Sequence, residues 1–304
     1  MNLSLSVRLR ALSRLLFPPV LLALFVLLLF QPAFSSEATL ARLVFFARSV
    51  FPSLFAALCL SGLLVSSPPA RALYRFPFGV ELTALLLGVL CGFPVGARTA
   101  VQLYEEGRIS KDRAEFLCGF SNLASLPFLV GVVGSALFGD VRFGVRLALL
   151  QAASALLTAG VLYALFRPSC HGIRAPAGQP AGMGISAVAR AVAGSAHTML
   201  ELGGMLIFFG VAADLLLHVS GIDPAGVRAA VLQSALEFSS GVARASALGG
   251  EGGKLLAAAA VGFSGLCVWA QIAAVTRGKL SLRPYLLGKS FQCALLPLLV
   301  KLFA

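Results

Sequence analysis

The chain has 304 residues, 59% of them hydrophobic and 12% charged, with a formal net charge of +12; a soluble domain is about half apolar and a quarter charged. That excess rules out a single soluble core. The 24 Lys and Arg residues lie between apolar segments, not in one dense tract, and no aromatic base-stacking platform accompanies them, so nucleic acid is not an expected partner and the charge is a topology signal.

Within hydrocarbon every backbone amide must be satisfied internally, which makes the expected fold class an all-α polytopic membrane protein in a lipid bilayer. Arg8, Arg10 and Arg14 precede an apolar run over 15–30, followed by Pro32-Ala-Phe-Ser35. Those four residues faintly resemble a signal-peptide cleavage site. The length of the run and the spans that follow it favour an uncleaved N-terminal transmembrane helix over 1–34. A helix is predicted from Leu43 to Val65. The segment from Val80 to Glu106 is interrupted by Cys91-Gly-Phe-Pro-Val-Gly96. Twelve helical residues rise only about 18 Å against about 30 Å of hydrocarbon, so its two arms form a re-entrant hairpin. Next come a helix over Arg113 to Phe138, broken near Ser121-Asn122 and Pro127, and a cleaner one over Val141 to Phe166.

The polar, Gly- and Pro-rich stretch 167–184 reads as a cytoplasmic linker. Beyond it the plan recurs: a long helix from Ile185 to His218, a broken segment from Pro224 to Leu248 centred on Phe238-Ser-Ser-Gly-Val-Ala-Arg244, then helices over Lys254 to Thr276 and Pro284 to Phe303. Two repeat units, 43–166 and 185–304, follow. Gly96-Ala97-Arg98 pairs with Val242-Ala243-Arg244, and Gly119-Phe120-Ser121 with Gly262-Phe263-Ser264, in the same order and at similar spacing. Three spans and one hairpin per unit are an odd number of crossings, which inverts the second unit and gives about seven spanning helices with two re-entrant hairpins. With a cytoplasmic N-terminus, Arg71, Arg75, Arg108, Lys111, Arg113, Arg167, Arg174, Arg277, Lys279 and Arg283 join the first three arginines inside. Arg42, Arg142, Arg228 and Lys254 fall mainly outside, as the positive-inside rule asks.

In inverted-repeat carriers the solute lies near the midplane, where helix breaks expose backbone donors and carbonyls. Gly92, Pro94 and Gly96 at the first tip, and Ser240 and Gly241 at the second, are therefore candidate binding residues. Arg98 and Arg244 follow their tips by a few residues, and a charge at membrane depth needs a partner or water. Together they would suit a solute with two carboxylates; alternatively they snorkel, or pair with Glu81, Glu105 or Glu237. Ser121, Asn122 and Ser125 in the first unit, and Ser264 and Gln271 in the second, offer neutral donors and acceptors, with bonding to nearby backbone as the competing role. Glu237 and Glu201 are candidates for proton relay or cation coupling, although His197 and Glu201, spaced i, i+4, would also satisfy each other. Six cysteines show no C-x-x-C pair and read as packing residues. No nucleophile elbow, phosphate loop or metal-ligand cluster is present, so neither an enzyme nor a metal or other cofactor is expected.

Cys91-Gly-Phe-Pro-Val-Gly-Ala-Arg98, Tyr104-Glu-Glu-Gly-Arg-Ile-Ser-Lys111 and Gly119-Phe-Ser-Asn122 resemble the sporulation integral membrane protein family of the nucleoside-recognition, or gate-domain, superfamily. Glu237 with Gly241, and Gly262 through Gln271, resemble that family's second repeat. The resemblance implies a fold similar to concentrative nucleoside transporters. It also implies transport of a small aromatic anion, foremost dipicolinic acid moved into the developing spore across the outer forespore membrane, in a chain that would form homo-oligomers. The family usually has a lysine at the position of Arg98 and often a tyrosine at that of Phe93. A cation-coupled nucleoside or heterocycle transporter, and a non-transporting scaffold of spore assembly, are the alternatives.

Overall fold

Helices alone make up the computed structural model of the chain, which describes residues 18–19, 22–65, 67–74, 76–170 and 184–303 and holds no strand among them. Expectations about Arg8, Arg10, Arg14, Arg75, Arg174 and 171–183 lie outside the described residues. Four stretches are long and apolar enough to cross a membrane, and a bent pair would make a fifth.

That bent pair comes first. Helix α1 (Leu22–Phe30) meets α2 (Pro32–Phe45) at Gln31 with a bend of 103°. Pro32 starts α2 at a position whose missing N–H would have had no intrahelical acceptor. The chain then passes through a π-helical turn (Phe46–Val50) into α3 (Phe51–Val65). The helix predicted from Leu43 therefore begins at Pro32, and Arg42 lies within it, not in an exterior connection. Two carboxylates on later elements meet Arg42 there, which offsets the cost of a cation on an otherwise apolar helix. After a short α4 (Pro68–Leu73), capped by Ser67, the first hairpin consists of α5 (Gly79–Cys91) and α6 (Val95–Glu105). Gly92, with φ of +82°, makes the turn between them, in a region of backbone space that side chains disfavour.

Helix α7 (Lys111–Ser121) ends where Asn122 turns extended, and a π-helical segment (Phe128–Leu137) resumes its course before α8 (Val141–Phe166). The second unit is α9 (Ile185–Ser220), a hairpin of α10 (Val227–Leu236) and α11 (Phe238–Leu248), a broken pair α12 (Gly250–Phe263) and α13 (Gly265–Thr276), and α14 (Arg283–Phe303). Apart from the short α4, the order long helix, hairpin, broken helix, long helix occurs both before and after 171–183.

Contacts between connections fix which ends lie together. Lys279, after α13, bonds Glu105 at the open end of the first hairpin, and the Ser281 amide donates to Glu115 Oε1 at 2.8 Å. At the other end Lys254 near the start of α12 meets Asp140, 3.4 Å away, which caps α8. The α7 to 137 stretch thus runs from the Lys279 end to the Asp140 end, and α12–α13 runs back. Close crossings hold the interior. A Cβ on Gly288 of α14 would overlap the Gly119 carbonyl of α7, and one on Gly88 would overlap the Ser121 carbonyl. The bidentate Arg113–Glu81 pair, at 2.7 and 2.8 Å, ties α7 to α5 in the buried interior.

Candidate functional site

The two hairpins enter from opposite ends and their tips meet. Phe93 and Phe238 pack edge to face with centroids 5.5 Å apart, and Phe128, just past the first helix break, packs on Phe238 at 5.4 Å. A cavity of about 330 Å³ opens beside them, within the range of small-molecule sites. Both tips line it, through Gly92, Phe93, Glu237 and Ser239; so do both broken helices, through Ser125, Phe128, Cys267 and Gln271, with Phe45 and Leu54 closing it from the first long helix. Its walls are largely aromatic and aliphatic. The polar groups are few: Gln271, whose Nε2 donates to the weak acceptor Cys267 Sγ at 3.3 Å, the Ser125 and Ser239 hydroxyls, and the Glu237 carboxylate.

Glu237 is 1% exposed, and its extended backbone separates α10 from α11. Both carboxylate oxygens cap α11: Oε1 accepts from Ser239 N at 2.9 Å and Oε2 from Ser240 N at 2.9 Å, with the two hydroxyls also donating. An acidic cap at a helix N-terminus satisfies free N–H groups and opposes the positive end of the dipole. Arg42 Nη1 lies 3.6 Å from Glu237 Oε2 and donates to Ser240 Oγ, while Nε and Nη2 grip Asp214 Oδ2 at 3.2 and 2.7 Å. Gln233 donates to Asp214 Oδ1 at 2.9 Å and accepts from Arg244 Nε. One continuous polar chain therefore runs from the cavity wall at Glu237 to Arg244.

Arg244 faces a second cavity of about 660 Å³, lined also by Asp214, His218, Asp223 and Glu37, and bonds the Pro224 carbonyl. Arg98 lines neither cavity and donates to Ser195 Oγ on α9 at 3.0 Å. The two arginines are thus not brought together around one solute: each is drawn aside by neutral oxygens on the α9–α10 part of the chain. Nor do the acidic partners weighed for them pair with them, since Glu81 binds Arg113, Glu105 binds Lys279 and Glu237 binds Arg42.

Of the other residues singled out from the sequence, Gly92, Glu237 and Gln271 line the first cavity, as does Ser125. Asn122, fully buried, works on backbone: Oδ1 accepts from Ala97 N and Nδ2 donates to Cys118 O, both at 2.9 Å. It joins the first break to the first tip. Ser121 and Ser264 donate to Leu117 and Val261 carbonyls, and Ser264 takes a left-handed backbone, φ +71°, at the single-residue break before α13. Pro94 precedes α6, Gly96 abuts Ser121, and Gly241 lets α11 close on Ser234 of α10. Ser240 belongs to the Arg42 cluster. His197 Nε2 and Glu201 Oε1 are 3.1 Å apart on the outer side of α9, with side chains 61% and 32% exposed, away from both cavities.

Four side chains that shape this region were not singled out as site residues from the sequence. Asp214 and Arg42 are 172 residues apart, and neither stands in a motif. Gln151 of α8 clamps the first break by accepting from Ala124 N and donating to Ala124 O. Lys289 of α14 is 1% exposed, with Nζ bonded to Gln292 Oε1 at 3.0 Å and 5.0 Å from the centroid of the Phe93 ring. Its only sequence signal was a lysine in the middle of an apolar span. Among the described residues no cluster of metal ligands occurs.

No protein-family profile matches the chain, and no solved structure does. The chain is similar to the sporulation integral membrane protein YlbJ of Bacillus subtilis (strain 168), with 33% identity over 129 residues, which are 39% of this chain and 31% of that protein. This chain therefore spans about a third of the relative's length in the match. The likeness and the apolar helices together support a multi-pass integral membrane protein similar to a sporulation membrane protein.

Proposed function

We propose that the chain is a carrier of a small aromatic anion, with dipicolinate as the foremost solute, working by movement of the two hairpins about the cavity between their tips. The observation that carries this reading is the single cavity walled by both tips and both helix breaks. Half-crossing arms whose ends meet at mid-depth leave backbone donors and short polar side chains facing an enclosed space, the arrangement expected of a midplane solute site. The opposite courses of α7 to 137 and α12–α13 support an inverted repeat, and with it about seven crossings, while the distribution of Lys and Arg supports a cytoplasmic N-terminus. Four phenylalanines, Phe45, Phe93, Phe128 and Phe238, suit a flat ring, and the likeness to a sporulation protein supports passage across the outer forespore membrane.

A second reading, a cation-coupled nucleoside or heterocycle carrier, draws on the Gln271 amide and the Glu237 carboxylate in the same wall, which match the donors and acceptors of a base edge. Uptake into proteoliposomes made with the full chain separates these. Labelled dipicolinate should enter and uridine should compete poorly. Uridine uptake that depends on an imposed cation gradient would favour the second reading, and no flux of either solute would leave a membrane scaffold.

A further inference from the structure

Behind Phe93, on the side away from the cavity, one face of α14 carries Tyr285, Lys289 and Gln292, at i, i+4 and i+7. All three are buried, at 0%, 1% and 2% exposure. The Tyr285 hydroxyl and the Gln292 Nε2 have no hydrogen-bond partner among the described residues. The Lys289 ammonium has the Gln292 Oε1 and the face of Phe93, and no carboxylate pairs with it among the described residues. Buried polar groups are nearly always paired, and an unpaired buried cation is costly. Two donors without an acceptor share a helix face with a buried cation bonded to a neutral amide oxygen, a set short of the negative acceptor that a bound anion would supply.

The first unit shows what such a position does when it is purely structural. Gln151 stands about as far into α8 as Gln292 stands into α14, and it spends both amide atoms on the backbone of the adjacent break. Three residues before it is Ala148; three before Gln292 is Lys289. Only in the second unit is the glutamine released from the clamp and given a cation.

We propose that Tyr285, Lys289 and Gln292 form a carboxylate-binding site, screened from the cavity by Phe93 and joined to it when the first tip shifts. The deduction rests on the carrier reading and supplies the anion contact that the cavity wall lacks. A carboxylate presents two oxygens with about four acceptor positions, enough for the ammonium, the amide and the hydroxyl together. Burial on all sides favours a small free carboxylate over a lipid headgroup.

The chain has one tryptophan, and it reports on this place: Trp269 lies 6.2 Å from Tyr285 between ring centroids. The test follows its emission, excited at its red edge, in full-length protein in nanodiscs titrated with pyridine-2,6-dicarboxylate, benzoate or uridine. Both carboxylates should give a saturable change and uridine none. Lys289→Met should weaken carboxylate binding by about tenfold or more, the scale of a lost charge-assisted hydrogen bond, with Lys289→Arg retaining most of it. Tyr285→Phe, which keeps the ring, should weaken it by a smaller factor. An unchanged midpoint in a folded Lys289→Met protein overturns the proposal, and so does a wild-type protein whose tryptophan ignores both carboxylates. Proteoliposome flux then judges the carrier reading separately: carboxylate uptake undiminished in Lys289→Met would sink this site and leave the carrier standing.

Discussion

Charge at membrane depth is bearable only with company, and Arg42 shows how much company one guanidinium gathers here. It holds Asp214 through two nitrogens and lies within reach of Glu237, so removing it leaves two carboxylates facing each other in a poorly solvated space. Arg42→Gln is expected to destabilise the protein by about 3 kcal/mol, as breaking one side of a buried pair does. Arg42→Gln with Asp214→Asn should recover part of that loss, because the double change removes the opposing charge. Chemical unfolding in mild detergent measures both, and equal losses for the single and double variants would contradict the pairing. None of this was legible in the sequence. Arg42 looked like the basic flank of a span, and Asp214 was one acid in a long helix; only the fold brings positions so distant into contact. Asn122 was legible as a residue at a break. Its task differs from the one first in view, because extended backbone there leaves amides that its side chain is the right length to satisfy.

Helix breaks and crossings are where local sequence speaks most clearly. Gly-Phe-Pro at the first tip and the Ser121-Asn122 interruption were readable because glycine, proline and short polar residues end helices for reasons contained in a few neighbouring atoms. The start of α2 was missed because an arginine within reach of Leu43 resembled a boundary. Glycine's other use, close approach, cannot be read locally. Gly288 is in contact with the Gly119 backbone, whereas Gly160 of α8 has open space around it. Gly288→Ala must push α14 from α7 and should cost about 1–3 kcal/mol. Gly160→Ala should be neutral or stabilising by up to about 1 kcal/mol, through helix propensity. Matching melting shifts for the two would argue against the tight crossing.

At the scale of the whole molecule, two cavities approach the second tip from different sides, and what parts them is the short run of side chains from Glu237 through Arg42 and Asp214 to Arg244. If both hollows fill with water, its high dielectric constant lets little of the potential drop along them. In an energised membrane much of the voltage would then fall across this partition, where the charges already sit. Carrying one elementary charge through the full potential is worth about 2.3 kcal/mol per 100 mV. Any swing of the second hairpin that shifts Arg42 against Glu237 would thus respond to membrane voltage. Flux measured in vesicles clamped at several potassium diffusion potentials should vary with their sign, and Arg42→Gln should flatten that dependence. The same few residues that steady the tip at rest would act as a voltage lever.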